Sequence, residues 1–145
     1  MDLEELYQEV ILDHSRRPRN FGVLEKPDVM VHGDNPACGD EIHLGVQFGG
    51  DGKLQEIKFS GQGCAISQAS ASILTDELRG MSLDEVRVYD PKALLEEIGV
   101  PIGPARLKCA LLSYKVLQGA VIGSEARWPE EADLAVTAGE GGAAP

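Results

Sequence analysis

Glu41-Ile42-His43-Leu44-Gly45-Val46-Gln47-Phe48-Gly49-Gly50-Asp51-Gly52-Lys53-Leu54-Gln55-Glu56-Ile57-Lys58-Phe59-Ser60 is the stretch from which the architecture can be read. Ile42, Leu44, Val46 and Phe48 alternate with Glu41, His43, Gly45 and Gln47. A period of two suits a strand with one face buried and one wet. Gly49-Gly50-Asp51-Gly52 is a strong turn signal, and Leu54, Ile57 and Phe59 then mark a returning strand. Upstream, Val29 and Val31 suggest a first strand. Together these segments predict a small antiparallel meander with one buried face.

The flanking segments change to helical spacing. Residues 2–15 read as an amphipathic helix that Asp2 can cap, with Leu3, Leu6, Tyr7, Val10, Ile11 and His14 on one side. Ser15-Arg16-Arg17-Pro18-Arg19-Asn20-Phe21-Gly22 breaks it and forms a basic patch, either a solvated turn or a docking surface. Residues 65–79 carry Ile66, Ala69, Ile73, Leu74 and Leu78 on a face, ended by Gly80. Ser82-Leu83-Asp84-Glu85 is a capping box, residues 91–98 suggest a helix closed by Gly99, and residues 104–122 a long one offering Leu112, Val116, Leu117 and Ala120 for packing. Strands followed by helices indicate an α+β fold, a small antiparallel three-stranded sheet with helices packed on one face. Residues 1–128 are expected to form one domain, and residues 129–145, rich in Ala, Gly and Glu, a flexible acidic tail.

The chain's 145 residues suffice for a single core, and its short apolar runs do not suit a membrane span. Met1-Asp2-Leu3-Glu4-Glu5 is acidic where a signal peptide would be basic, so a cytoplasmic location with reduced thiols is expected. A formal charge of −11 argues against nucleic-acid binding. It suits metal cations and proteins with basic docking surfaces.

The three cysteines each have a suggestive setting. Cys38 lies in Asn35-Pro36-Ala37-Cys38-Gly39-Asp40, where Gly39 allows a sharp bend that can turn Cys38 and Asp40 to one side. Cys64, in Gly61-Gln62-Gly63-Cys64-Ala65, precedes a predicted helix whose unpaired N–H groups favour a thiolate. Cys109 adjoins Lys108 and lies one turn from Arg106, cations that also favour a thiolate. Taken singly, each has a plainer explanation: a packed helical cysteine, a tight turn, a Gly-x-Gly anion loop. Taken jointly, three thiolates and the Asp40 carboxylate make four anionic ligands, the number for tetrahedral zinc or an iron–sulfur site. His14, His32 and His43 read as structural or surface residues, with His43 facing away from the core. No Glu or His is placed as the general base of a zinc hydrolase.

From about Leu3 to Val121 the chain resembles the IscU/SufU-type iron–sulfur cluster assembly scaffolds, related to the NifU N-terminal domain. The resemblance rests on Leu6-Tyr7-Gln8-Glu9-Val10-Ile11-Leu12-Asp13-His14 with Pro18-Arg19-Asn20-Phe21-Gly22, on Asn35-Pro36-Ala37-Cys38-Gly39-Asp40, and on Gly61-Gln62-Gly63-Cys64-Ala65-Ile66-Ser67. IscU-type chains carry His before the third cysteine and a Leu-Pro-Pro-Val-Lys stretch ahead of it. Here the stretch is Ile102-Gly103-Pro104-Ala105-Arg106-Leu107-Lys108-Cys109. Lys108 is similar to SufU, whereas the short interval from Cys64 to Cys109 is similar to IscU.

The resemblance implies a scaffold that accepts sulfur from a cysteine desulfurase, binds iron and passes a [2Fe-2S] cluster to apo iron–sulfur acceptor proteins. The alternative it implies is a SufU-like zinc-dependent sulfurtransferase, with Cys109 accepting persulfide sulfur. Non-enzymatic scaffolding is the first reading, and sulfurtransferase is the activity if the chain is catalytic. Cys38, Asp40, Cys64 and Cys109 would bind cluster, iron or zinc, and zinc is expected in the purified protein. Lys108 and Arg106 would offset the anionic charge or attract an anionic sulfur species. A homo-oligomer is compatible with this reading.

Overall fold

The computed structural model describes residues 3–35, 39–99 and 102–122. The tail expected over residues 129–145 lies outside them. The elements run α1 (Leu3–Arg16), β1 (Val29–Asn35), β2 (Asp40–Phe48), β3 (Leu54–Gln62), α2 (Ala65–Leu78), α3 (Leu83–Arg87), α4 (Pro91–Ile98) and α5 (Pro104–Ile122). The strands form one antiparallel sheet in the order β1-β2-β3. This is the expected α+β architecture.

The register explains which side chains face inward. Val31 pairs with Leu44, and Leu44 with Phe59, so Ile42, Leu44, Val46, Ile57 and Phe59 converge on one face, all buried. Leu54 and Ile57 are three residues apart and should face oppositely, yet both are buried. A bulge resolves the mismatch: Gln47 pairs with Glu56 but Phe48 pairs with Leu54, so the extra residue resets the parity. Each of these large apolar side chains contributes about 1.5–3 kcal/mol by leaving water.

α5 covers β1 and β2, α2 lies against β3, and α1 packs on α2. Gly33 in β1 is where α5 comes closest, since an added Cβ would sit 2.8 Å from Val116 Cγ2. α2 is buried well beyond the single face expected from its apolar spacing, with Ser67, Ala69, Ser70, Ala71, Ser72, Ile73, Leu74 and Thr75 all enclosed. Its small side chains let neighbours approach from several sides, and its hydroxyls find partners. Thr75 donates to the Ala71 carbonyl at 2.7 Å, while Ser72 Oγ accepts the Arg19 N–H at 2.8 Å and lies 2.7 Å from His14 Nδ1.

The basic segment after α1 is built into the fold. Arg17 and Arg19 both reach the Asp13 carboxylate, at 3.0 and 2.7 Å. Residues 20–22 bond to the edge of β3, Gly22 N–H donating to the Phe59 carbonyl and Phe59 N–H to that of Asn20. The Phe21 ring sets its edge against Phe59, with centroids 5.3 Å apart. The chain then crosses the outer face of the sheet, bringing Leu24 and Pro27 over Gly45, the position on that face with no side chain in the way. Among the described residues no helix is long and apolar enough to cross a membrane.

Candidate metal centre

Three elements bring Asp40, Cys64 and Cys109 to one end of the sheet. Asp40 opens β2 opposite Asn35, and both are buried. Cys64 occupies the N-cap of α2, and Cys109 lies in the second turn of α5, 1% exposed. One ligand atom from each of the three lies within 4.8 Å of the other two. Sulfur ligands around tetrahedral zinc stand about 3.8 Å apart, so a modest contraction would bring these atoms into coordination. It is the one such group of three or more His, Cys, Asp and Glu side chains among the described residues.

The two glycines before Cys64 have separate steric tasks. Gly61 holds φ at +126°, and an added Cβ would run into the Glu41 carbonyl across the strand pair. Only glycine lets β3 approach β2 so closely while in that conformation. Gly63 faces the carboxylate instead: an added Cβ would lie 2.7 Å from Asp40 Oδ1 and collide with Ser67 Oγ. This clearance lets Cys64 N–H donate to Asp40 Oδ1 at 3.0 Å. The Gly-x-Gly, open in sequence to reading as an anion loop, is thus shaped around the protein's own carboxylate. Asp40 is held in place by the backbone of a residue whose thiol it joins.

Burial gives the group a direction. Asp40 and Cys109 are enclosed, whereas Cys64 is half-buried and forms the accessible side. A buried carboxylate beside two thiol groups, each able to ionise, is costly alone and favourable around a cation. Such a donor set of sulfur and oxygen suits zinc or iron. Arg106 and Lys108 have exposed side chains near the start of α5, while Cys109, the next residue after Lys108, faces inward. Cys38, the remaining expected ligand, lies outside the described residues.

Two supporting residues had no role in the sequence reading. Ser67, one turn into α2, donates from Oγ to the Cys64 carbonyl at 3.0 Å and closes that turn. Asn35 faces Asp40 across the β1–β2 pair, and its carbonyl accepts the Gly39 N–H at 2.9 Å. Position was the available signal for both: Ser67 is three residues from Cys64, and Asn35 opens the hairpin loop that ends at Asp40.

The family described as NifU-like N terminal domain matches residues 6–129. A Bacillus subtilis (strain 168) protein named zinc-dependent sulfurtransferase SufU is 38% identical over 141 residues, spanning 86% of this chain and 95% of its own length. A Streptococcus pyogenes serotype M1 protein named iron–sulfur cluster assembly scaffold protein IscU is 35% identical over 136 residues, spanning 82% and 84%. A crystal structure from Fervidobacterium islandicum AW-1, described as a candidate iron–sulfur cluster assembly scaffold for the SUF system, superposes with a TM-score of 0.71. It is 29% identical and spans 83% of this chain and 99% of its own.

Proposed function

The chain belongs to the NifU-like N-terminal domain family, and on that premise we propose that it is an iron–sulfur cluster assembly scaffold. It takes sulfur from a cysteine desulfurase, binds iron and hands a [2Fe-2S] cluster to apo-proteins in the reducing cytoplasm. The observation that carries this reading is the convergence of Asp40, Cys64 and Cys109 within 4.8 Å. Cys38 is the fourth ligand. It is two residues from Asp40, so chain geometry keeps their Cα atoms within about 7 Å.

Each residue's task follows from its setting. Cys109, buried on α5, forms the floor of the site. Cys64 stands at the open side, where cargo enters and leaves. Asp40 offers a harder oxygen donor among thiolates, a weaker ligand for a site that must let go of what it builds. Three thiolates and a carboxylate carry four negative charges, which two on iron(II) or zinc do not cancel, so Lys108 and Arg106 moderate the remainder. Anaerobic reconstitution with iron, cysteine and a desulfurase should give a visible-absorbing cluster that Asp40→Ala retains longer on transfer to an acceptor. Equal retention by parent and variant would remove Asp40 from this role.

The similarity to the Bacillus protein, together with Lys108 beside Cys109, favours one alternative, zinc-dependent sulfur transfer. The Cys109 thiolate would attack the outer sulfur of the desulfurase persulfide. The S–S bond breaks, the desulfurase cysteine leaves as thiolate, and Cys109 carries the persulfide. Bound zinc would supply charge that orders the ligands. Zinc-loaded protein should then accelerate desulfurase turnover, and Cys109→Ser should abolish that effect. No acceleration, or acceleration indifferent to Cys109, would reject sulfur transfer and leave the scaffold reading standing.

A further inference from the structure

We propose that His32 and His43, with Glu41 beside them, form a second metal site on the outer face of the sheet. It would take a divalent transition-metal ion that prefers imidazole, such as Zn2+ or Ni2+. The two histidines are direct cross-strand partners, so the β1–β2 pairing itself holds their Cβ atoms about 5 Å apart. Their rings stack with centroids 5.5 Å apart and planes 25° from parallel. His43 Nε2 lies 3.6 Å from Glu41 Oε2, and Asp34 faces Glu41 one pair further along the same face. The result is two neutral-ring donors and a carboxylate carried on paired strands rather than on a loop.

This site is independent of the thiolate centre. Asp40 and Glu41 are consecutive residues of β2, so their side chains leave opposite faces of the sheet. The histidine side is wet: the His43 and Glu41 side chains are 40% and 48% exposed, which leaves room for an ion to enter with its waters. Rotation about the soft χ2 torsion of each ring turns a nitrogen toward its partner without moving the backbone. Once one imidazole binds, the second is already present at high effective concentration. Lys58, opposite Gly45 on the same face, is the nearby cation that limits affinity. The sequence reading of both histidines as plain surface residues missed this because residues 32 and 43 become neighbours only through the register.

The test uses full-length protein loaded with zinc, so that the thiolates are occupied, and titrated with Ni2+. Paramagnetic broadening should reach the His32 and His43 ring signals together at one added equivalent and spare His14. His32→Gln and His43→Gln should each weaken Ni2+ binding about tenfold or more, with the double variant no weaker than either single one, as for a chelating pair reduced to one ligand. Zinc at the thiolates, counted by its release on alkylation, should be unchanged throughout. Broadening centred elsewhere, or losses that are small or simply additive, would overturn the proposal. Displacement of zinc by Ni2+ with the rings unaffected would also overturn it, while leaving the thiolate centre intact.

Discussion

Replacing Gly63 by alanine isolates the role of Asp40 without touching any ligand. The new methyl would stand 2.7 Å from Asp40 Oδ1 and 3.2 Å from its Cγ. Side-chain carbons do not tolerate less than about 3.0–3.4 Å, so the carboxylate must retreat by roughly 0.3–0.7 Å. Its bond from Cys64 N–H is already 3.0 Å long, and the retreat carries it to the edge of hydrogen-bonding range. Weakening a charge-assisted bond at a buried carboxylate costs about 2 kcal/mol. If that cost falls on the metal-bound geometry, Kd for zinc rises about thirtyfold. Chelator competition reads the affinity and urea unfolding reads stability. Gly39→Ala is the control: its φ of +76° imposes backbone strain, but nothing lies within 4 Å of an added Cβ. A Gly63→Ala protein that binds zinc within twofold of the parent would refute the view that this clearance seats Asp40.

Gly99 ends α4 at φ +79°, and an added Cβ would overlap the Tyr7 ring, so Gly99→Ala should cost about 2–5 kcal/mol in urea unfolding, from left-handed strain plus overpacking. Ser82→Ala removes one half of the α3 capping box, in which Ser82 Oγ accepts the Glu85 N–H at 3.2 Å, and should cost about 1 kcal/mol by the same assay. Burial, and then Arg19, hold the His14 imidazole below its ordinary 6.5. The unfolded chain therefore takes up that proton first, and the His14 contribution is present above about pH 6.5 and lost as pH falls through the lowered value. Thermal melting from pH 8 to pH 5 should fall more steeply for the parent than for His14→Gln.

The sheet was legible because Ile42 to Phe48 alternate without interruption and one glycine-rich turn follows. Helix ends were legible where chemistry marks them, at Ser82 with Glu85 and at Gly99. The bulge beside Gln47 was visible only as an irregular gap between Leu54 and Ile57, whose cause is the pairing itself. The path of residues 17–28 was not legible: Arg17, Arg19 and Asn20 find partners on α1, α2 and β3 that no local pattern announces. At the candidate centre, residue types pointed to Asp40, Cys64 and Cys109. Their convergence, and the reason glycine stands at 61 and 63, depend on distances between strands that local sequence does not encode.

The strand parity at Asp40 makes length, rather than composition, the vulnerable property of the first hairpin. Asp40 points inward because it is paired with Asn35 and because β2 alternates from there onward. Many substitutions between those two residues would leave this parity alone. A one-residue insertion or deletion that shifted the register would turn Asp40 toward the histidine-bearing face and carry Glu41 into the space beside the thiols. Chains built on this plan should therefore vary in the identity of residues in that loop far more readily than in their number.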